Sequence, residues 1–251
     1  MGARNVTKPT TYPTKLSDRT NQEWRAYDDY YSEKTLEQPY FYHHHPGRER
    51  RFVAGLQRKF AMTAGSTLID VGCGNGLYSR LWSGQGLAVT GLDRSPKAID
   101  YCKRKYGSLC NWVCDDAFEF ARSTQYDYAF CFWFMYFNAF ENPADGAEDA
   151  RRLMACLKPG GKLIFVWHSD LTSVRLPPDR FSVMNFTLAQ LMHFFPTYKV
   201  RGYAIDSPAI ACTLFGRYAF NDYVSRLASA RVYMQASTWK RARLIVAVEK
   251  S

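Results

Sequence analysis

The hydrophobic pattern is most regular from residue 67 onward, where short apolar runs alternate with amphipathic segments. The apolar runs at 67–71, 88–93, 111–114, 128–133 and 162–168 have the length and composition of buried strands. Strands that alternate with helical segments are typical of a parallel sheet with crossover connections. The pattern therefore predicts an α/β domain.

The helical segments between these strands have recognisable ends. One apolar helical face covers 77–82. Ser95 as the N-cap and Pro96 at the first helical position begin a second helix, which ends at Gly107. A third helix is predicted over 148–157, and the KPGG sequence that follows is expected to end it.

The last third of the chain is less regular. A capping-box pattern at 187–190 predicts a helix that continues to residue 194. Strands are predicted at 198–205 and 243–249, and a long helical segment at about 218–232 lies between them.

The N-terminal region differs from this alternating pattern. Residues 1–17 are polar with little to bury, so we expect a flexible tail. Residues 18–60 are helical in pattern, with aromatic side chains recurring at helical spacing. The main domain is then 61–251, with an insertion at about 206–238.

Composition and charge narrow the class of protein. A chain of 251 residues with 47% hydrophobic residues fits one catalytic domain. The net charge of +10 favours anionic ligands, but the basic clusters at 48–51, 103–105 and 240–243 are far apart in sequence, which is typical of solvated faces. Neither a membrane-spanning run nor a secretory signal is evident, so we expect a cytoplasmic protein.

No metal site is predicted from the cysteines and histidines. The seven cysteines contain no CxxC pair and read as reduced, packed thiols. Three consecutive histidines cannot present three ligands to one metal from a regular strand or helix. Two loop ligands, or a place at the entrance to a site, are the alternatives for His43, His44 and His45.

The strongest local motif is LIDVGCGNGLYSRL at 68–81, where a strand that ends in Asp70 leads through Gly72, Gly74 and Gly76 into a helix. Glycine suits a turn whose backbone angles a Cβ would forbid, and it lets a ligand approach the main chain. A tight turn without a ligand is the alternative interpretation.

Two more predicted strands end in acidic groups. Asp93 ends the second strand, where a carboxylate can accept both hydroxyls of a ribose. Asp116 follows the third strand and is a candidate for the exocyclic amine of an adenine, with the Ala117 amide near the ring nitrogens. Because the carboxyl ends of parallel strands meet at one edge, these tips predict a site for one adenosyl ligand.

Together these motifs resemble the class I S-adenosylmethionine-dependent methyltransferases. The matching segments are DVGCGNG at 70–76, LD at 92–93, DA at 116–117, YDYAFCFWF at 126–134 and LKPGGKLIFV at 157–166. The resemblance implies a Rossmann-like, doubly wound sheet of seven strands, mostly parallel with the last strand antiparallel, and helices on both faces.

The same resemblance implies S-adenosylmethionine as the cofactor. The Gly-rich turn is expected to contact its amino-acid moiety, Asp93 the ribose and Asp116 the adenine, while 131–133 line it with main chain and side chains. The predicted cofactor residues are Asp70, Gly72, Cys73, Gly74, Asn75, Gly76, Asp93, Arg94, Asp116, Ala117, Cys131, Phe132 and Trp133.

Nicotinamide-binding Rossmann proteins are the competing class. Their GxGxxG pattern would need glycine at position 77, which is Leu77. No pyrophosphate cradle is evident, and the aromatic end of the fourth strand followed by KPGG resembles a methyltransferase.

Methyl transfer is an in-line displacement, so the protein must align the nucleophile with the methyl carbon and sulfur. A base is needed only if the nucleophile is protonated. His168 at the tip of the fifth strand is the candidate base, and bonding to loop backbone is its alternative role. Tyr136 and Asn138 are candidate orienting groups, and Asp170 is a candidate to orient His168.

An aromatic stripe and scattered arginines are candidates for the substrate side. In the family, an N-terminal helical segment commonly closes over the cofactor, so the resemblance makes 18–60 a lid, with ordinary packing as the alternative. The stripe consists of Trp24, Tyr27, Tyr30 and Tyr31. Arginines that could meet an anionic substrate are Arg175, Arg180 and Arg217.

Missing motifs guide the expectation for the methyl acceptor. The chain lacks the Pro-Pro-aromatic motif of enzymes that methylate exocyclic amines, and it has no Pro-Cys pair. We therefore expect transfer to an oxygen or nitrogen of a small molecule, such as an acidic, sugar-linked or natural-product intermediate, and no nucleic-acid partner. An RNA methyltransferase and a non-catalytic adenosyl-binding protein are the alternatives, and the sequence indicates no oligomeric state.

Overall fold

A seven-stranded sheet forms the centre of the protein. The computed structural model describes residues 46–120, 125–132, 146–169, 194–205 and 242–250, together with Tyr31, Leu36 and Phe134. The strands are β1 Thr67–Val71, β2 Ala88–Asp93, β3 Asn111–Cys114, β4 Tyr126–Phe132, β5 Leu157–Ser169, β6 Lys199–Ile205 and β7 Ala242–Glu249.

The strand order confirms the predicted fold class. The sheet has the order β3-β2-β1-β4-β5-β7-β6, and β7 is antiparallel to both β5 and β6 while β1 to β5 are parallel. The chain changes direction across the sheet between β1 and β4, which is the point where open α/β sheets bind ligands.

Five helices are described around the sheet. They are α1 Pro46–Lys59, α2 Leu77–Ser83, α3 Pro96–Tyr106, α4 Ala117–Phe120 and α5 Ala147–Ala155. The predicted start of α3 is confirmed, because Ser95 Oγ accepts a hydrogen bond from the Ala98 N–H at 3.2 Å.

The helices cover both faces of the sheet, as predicted. On the face covered by α1, α2 and α3, the core contains Leu56 and Trp82 together with Leu68 of β1. On the face covered by α4 and α5, Leu153 packs in the same core as Ile69, the next residue of β1. Successive strand side chains point to opposite faces, so one strand supplies both cores.

The prediction for the KPGG segment was wrong. The third helix was expected to run to residue 157, but α5 ends at Ala155 and β5 begins at Leu157, which pairs with Tyr126. Gly160 has a φ of +74° and its N–H donates to the Lys250 carbonyl at 2.9 Å. The glycines lie inside an irregular strand because neighbouring strands satisfy their main-chain groups.

Several predictions lie outside the described residues. They are the tail at 1–17, the helices expected at 187–190 and about 218–232, and the insertion at about 206–238. In the described part of the chain, no helix has both the length and the apolar character needed to cross a membrane.

Candidate cofactor-binding site

The Gly-rich turn joins β1 to α2 at the carboxyl end of the sheet. Gly72, Gly74 and Gly76 have φ values of +71°, +53° and +72°, in the left-handed region that favours glycine. The N–H groups of Gly72 and Cys73 donate to the Leu92 carbonyl at 2.8 and 3.0 Å. These bonds hold the turn against the end of β2.

Gly76 is required by packing inside the protein. A Cβ at this position would lie 2.8 Å from Cys102 Sγ, 2.9 Å from Trp112 Cη2 and 3.0 Å from Tyr106 Cε2. These contacts are too short for a carbon atom, so the absence of a side chain at Gly76 lets α2 approach α3 and β3.

Gly72 and Gly74 face two aromatic side chains at the outer side of the turn. A Cβ on Gly72 would lie 3.2 Å from the Phe134 ring, and a Cβ on Gly74 would lie 3.5 Å from the Tyr31 hydroxyl. The turn thus forms a cradle of bare backbone with one ring on either side. Phe134 was not predicted as a site residue, although it ends the aromatic run of β4.

Asp93 is held firmly at the end of β2. Its Oδ2 accepts from the Gly74 N–H and its Oδ1 from the Ser95 N–H, each at 2.9 Å. Burial raises the pKa of Asp93, and these two backbone bonds oppose that rise. Because each carboxylate oxygen has a second lone pair, Asp93 retains the capacity to accept hydroxyl groups.

Asp70 is a second buried carboxyl group beneath the turn. Its Oδ2 accepts from Ser79 Oγ at 2.6 Å. Burial raises the pKa of Asp70 to about 7, and the nearby charge of Asp93 contributes in the same direction. The structure therefore places Asp70 under the turn as a carboxyl group that titrates near neutral pH.

Asp116 and Arg94 form an ion pair between the tips of β3 and β2. Arg94 Nη2 lies 2.7 Å from Asp116 Oδ2. Asp116 Oδ1 accepts from the Phe118 N–H at 2.8 Å, which caps the short helix that begins at Ala117. Two of the predicted cofactor residues are thus brought together, and each has a partner within the chain.

Two described residues of the N-terminal region, Tyr31 and Leu36, lie near the turn. Tyr31 is half-buried beside Gly74, and Leu36 is buried in the core of the α1-to-α3 face. Asn75 Nδ2 donates to the Leu36 carbonyl at 3.2 Å, and Asn75 Oδ1 accepts from the Leu77 N–H at 3.2 Å. The Asn75 amide, predicted as a cofactor ligand, therefore links this region to the start of α2.

A buried hydrogen bond that the sequence did not reveal joins α1 to α2. The Tyr78 hydroxyl donates to Glu49 Oε2 at 2.7 Å, and Glu49 is fully buried. Helical periodicity shows which face of α1 is apolar, but it does not show which polar groups on two helices meet.

The cysteines predicted at the site are packed thiols. Burial raises the pKa of both Cys73 and Cys131 well above the ordinary value, so neither is a ready nucleophile. Cys131 is completely buried in the core beneath α4 and α5, which leaves only its main chain available to a ligand. Phe132 points to the opposite face, with its ring centroid 4.2 Å from that of Tyr78.

The predicted catalytic and substrate residues are mostly beyond the described part. The backbone of His168 lies in β5, in register with Arg243 of β7. The residues outside the description are Trp24, Tyr27, Tyr30, His43, His44, His45, Trp133, Tyr136, Asn138, Asp170, Arg175, Arg180 and Arg217.

Three features together define a class I, Rossmann-like methyltransferase fold. They are the Gly-rich turn at the tip of β1, the acidic groups at the tips of β2 and β3, and the antiparallel last strand. The sequence agrees with the fold. Residues 69–165 match the family model described as a methyltransferase domain.

Relatives with assigned activities match over part of their length. A tRNA (carboxymethyluridine(34)-5-O)-methyltransferase of Mus musculus is 35% identical over 109 residues, which are 43% of this chain and 15% of that protein. A ubiquinone biosynthesis O-methyltransferase of Coxiella burnetii is 32% identical over 105 residues, which are 40% of this chain and 43% of that protein. The chain thus spans less than half of either relative.

The fold also matches solved methyltransferase structures. The N-methyltransferase NodS of Bradyrhizobium japonicum, solved with S-adenosyl-L-homocysteine, aligns with a TM-score of 0.56 at 15% identity. The alignment covers 87% of this chain and 95% of that one. At this identity, the likeness concerns the fold.

Proposed function

We propose that this protein binds S-adenosylmethionine at the carboxyl edge of the sheet and transfers its methyl group to an oxygen or nitrogen atom. The observation that carries the proposal is the convergence of the Gly-rich turn, Asp93 and Asp116 at that edge. Because Gly72 and Gly74 have no side chain, a ligand can approach the main chain of the turn beside the Phe134 and Tyr31 rings.

Each strand tip is assigned one part of the ligand. The turn after β1 faces the amino-acid moiety, and Asp93 accepts the ribose hydroxyls with its remaining lone pairs. Asp116, with the Ala117 amide, faces the adenine, and Arg94 holds the Asp116 carboxylate in place. Main-chain groups of 131–133 line the remaining side.

When bound, the cofactor would supply a methyl group on a sulfonium. The acceptor would bond to the methyl carbon as the carbon–sulfur bond breaks, and S-adenosylhomocysteine would leave with the electron pair. A protonated nucleophile must lose its proton, and we assign this role to His168, with Tyr136 orienting the acceptor. His168→Ala should then lower turnover at unchanged cofactor affinity, and Tyr136→Phe should raise KM. Equal turnover in wild type and His168→Ala would leave alignment as the only contribution of the protein.

A small molecule is the first candidate for the methyl acceptor. The Coxiella burnetii relative is by name an O-methyltransferase of ubiquinone biosynthesis, which concerns a small-molecule product. The position of Tyr31 next to Gly74 agrees with an aromatic lid that encloses a compact acceptor.

RNA is the second candidate for the acceptor. The Mus musculus relative acts by name on a tRNA uridine, and its matched segment overlaps the same domain. The missing Pro-Pro-aromatic motif is typical of enzymes that methylate exocyclic amines, and the missing Pro-Cys pair is typical of enzymes that methylate cytosine at C5. Neither absence argues against methylation of an oxygen atom in RNA.

Calorimetric titration with S-adenosylmethionine, S-adenosylhomocysteine and NAD tests the cofactor assignment. We expect both adenosyl-sulfur compounds to bind and NAD not to bind. Gly74→Val should weaken their binding at least about tenfold, since its side chain would occupy the cradle. Gly65→Val is the matched control, because Gly65 also has a positive φ, of +84°, and lies in open space away from the site. Binding of NAD alone would overturn the assignment.

A further inference from the structure

Charge is divided unequally between the segment that contains α1 to α3 and the segment that contains α4 and α5. Residues 46–110, which contain α1 to α3, carry eleven lysines and arginines and four acidic residues. Residues 111–169, which contain α4 and α5, carry five basic and eight acidic residues. The helices of one face are therefore strongly basic, although the positive charges are scattered in sequence.

Burial makes the difference larger at the surface. Of the four acidic residues in 46–110, Glu49, Asp70 and Asp93 are buried, and Asp100 is exposed. The exposed basic side chains described in this segment are Arg50, Arg51, Arg58, Lys59, Lys97, Lys103, Arg104 and Lys105. We call this surface the basic face.

A cavity lies within the basic face, between α1, the C-terminal end of α2 and the turn after α3. Its volume is about 470 Å³. The lining residues are Arg50, Arg80, Leu81, Gly84, Gln85 and Leu109. Arg50 forms no ion pair with any described residue, and Leu109 is 47% exposed.

Aromatic rings connect this cavity to the cations of α3. The Arg80 guanidinium carbon lies 5.9 Å from the centroid of the Tyr106 ring, and its buried Nε has no hydrogen-bond partner among the described residues. Lys105 Nζ lies 5.7 Å from the same Tyr106 centroid and 4.7 Å from that of Tyr101. Basic and aromatic groups thus form a continuous track along the basic face.

We propose that the basic face binds the phosphodiester backbone of a nucleic acid, with one phosphate in the cavity between Arg50 and Arg80. Arginine presents a planar fork of donors that fits phosphate oxygens. Lys103 and Lys105 continue the track, and release of counterions from the nucleic acid favours binding. Tyr106 and Leu109 offer apolar surface to a base or sugar.

The cavity is suitably placed relative to the proposed methyl-transfer site. The Gly-rich turn begins α2 and the cavity lies at its other end, about 10 Å away along seven helical residues. A strand of a few nucleotides on the basic face can therefore reach the carboxyl edge of the sheet. The inference goes beyond methyl transfer itself, and it favours RNA over a small molecule as the acceptor.

Fluorescence anisotropy of the full chain with labelled unmodified tRNA tests the inference. We expect binding that weakens steeply between about 50 and about 200 mM salt. The double variant Arg50→Gln with Lys103→Gln should bind about tenfold more weakly, and the slope against salt should fall by about one for each lost phosphate contact. Both side chains are exposed and have no ion-pair partner among the described residues, so folding should be retained.

The matched control is a double variant on the opposite face, Arg151→Gln with Lys158→Gln, which changes the net charge equally. It should bind tRNA like the wild type. Duplex DNA and anionic vesicles of phosphatidylserine are tested in parallel, and preference for tRNA identifies the backbone as RNA, whereas preference for duplex DNA identifies it as DNA. Equal losses in both double variants, preference for vesicles, or no binding at physiological salt would overturn the inference.

Titration of the same preparations with S-adenosylmethionine separates this inference from the proposed function. Cofactor binding without nucleic-acid binding would overturn the inference alone. Nucleic-acid binding without cofactor binding would overturn the proposed function and leave the basic face as a binding surface.

Discussion

On the face covered by α4 and α5, Arg152 lies within 4 Å of carboxylate oxygens of Glu119, Glu148 and Asp149. On the basic face, Arg50 and Lys103 are exposed and form no ion pair with any described residue. On the first face, the ion pairs of Arg152 join α5 to α4. The second presents these two cations to solvent, where a partner can meet them.

The difference implies that the two faces are stabilised in different ways. The basic face owes its stability to packed apolar groups, because exposed like charges repel each other and contribute little to folding. The opposite face combines its apolar core with ion pairs such as Lys158 with Asp127, at 2.9 Å. Substitutions of each kind can test this view.

The largest loss of stability is expected from Gly76→Ala, which disrupts side-chain packing beneath the basic face. The new Cβ would lie 2.8 Å from Cys102 Sγ, and the backbone at Gly76 has a positive φ. We expect a loss of about 3–5 kcal/mol in the free energy of unfolding, from left-handed strain and overpacking together. Urea denaturation measures it.

Gly65→Ala separates the two contributions. Gly65 has a φ of +84° but nothing within 4 Å of its added Cβ, so the variant should lose only about 1–2 kcal/mol. Equal losses at Gly65 and Gly76 would contradict the packing explanation.

A smaller effect is expected from Arg152→Met, which breaks the charge network of the other face. The variant retains much of the apolar stem but removes the cation that lies 3.8 Å from buried Asp149, so it should lose about 2 kcal/mol. Arg50→Met on the basic face should change the free energy of unfolding by less than about 0.5 kcal/mol. Similar losses in the two variants would remove the distinction between the faces.

The smallest effect concerns the buried carboxyl of Asp70, next to α2. Because its pKa in the folded protein is about 7 and thus above that of the unfolded chain, the folded state holds the proton more tightly. Its contribution to stability is fully present below the unfolded pKa of about 4 and is lost progressively as the pH rises from there through about 7. Between about pH 6 and about pH 8 the loss should be about 1 kcal/mol.

Asp70→Asn isolates that contribution from other titrating groups. The amide cannot ionise, and its oxygen can still accept the Ser79 hydroxyl. Thermal or urea unfolding of wild type and variant at both pH values gives the difference. The same pH dependence in both proteins would show that Asp70 does not titrate near neutral pH.

The strands nearest the site could be predicted from local sequence. β1, β2 and β3 have the predicted bounds, because each is a short apolar run closed by glycine, an acidic residue or a helix cap. The KPGG segment was predicted wrongly, because its glycines resemble a turn until neighbouring strands supply partners for their main chain.

Within the site, too, local sequence predicted the backbone arrangement better than the contacts of individual side chains. The motifs predicted that the Gly-rich turn and Asp93 come together, and the Gly74 to Asp93 hydrogen bond confirms their proximity. They did not predict that Asn75 would bind the Leu36 carbonyl or that Arg94 would pair with Asp116. Such contacts join side chains on separate elements, and periodicity carries no information about them.

The sequence by itself determined the sheet, the glycine turn and the acidic strand tips, because backbone sterics and the alternation of apolar residues act over a few neighbouring positions. Only the tertiary structure decided where the charges go. The basic clusters at 48–51 and 103–105 come to lie on one face, because α1 packs on the same side of the sheet as the crossover helices α2 and α3. Electrostatic potential depends on distance in space, so this surface exists only in the folded protein.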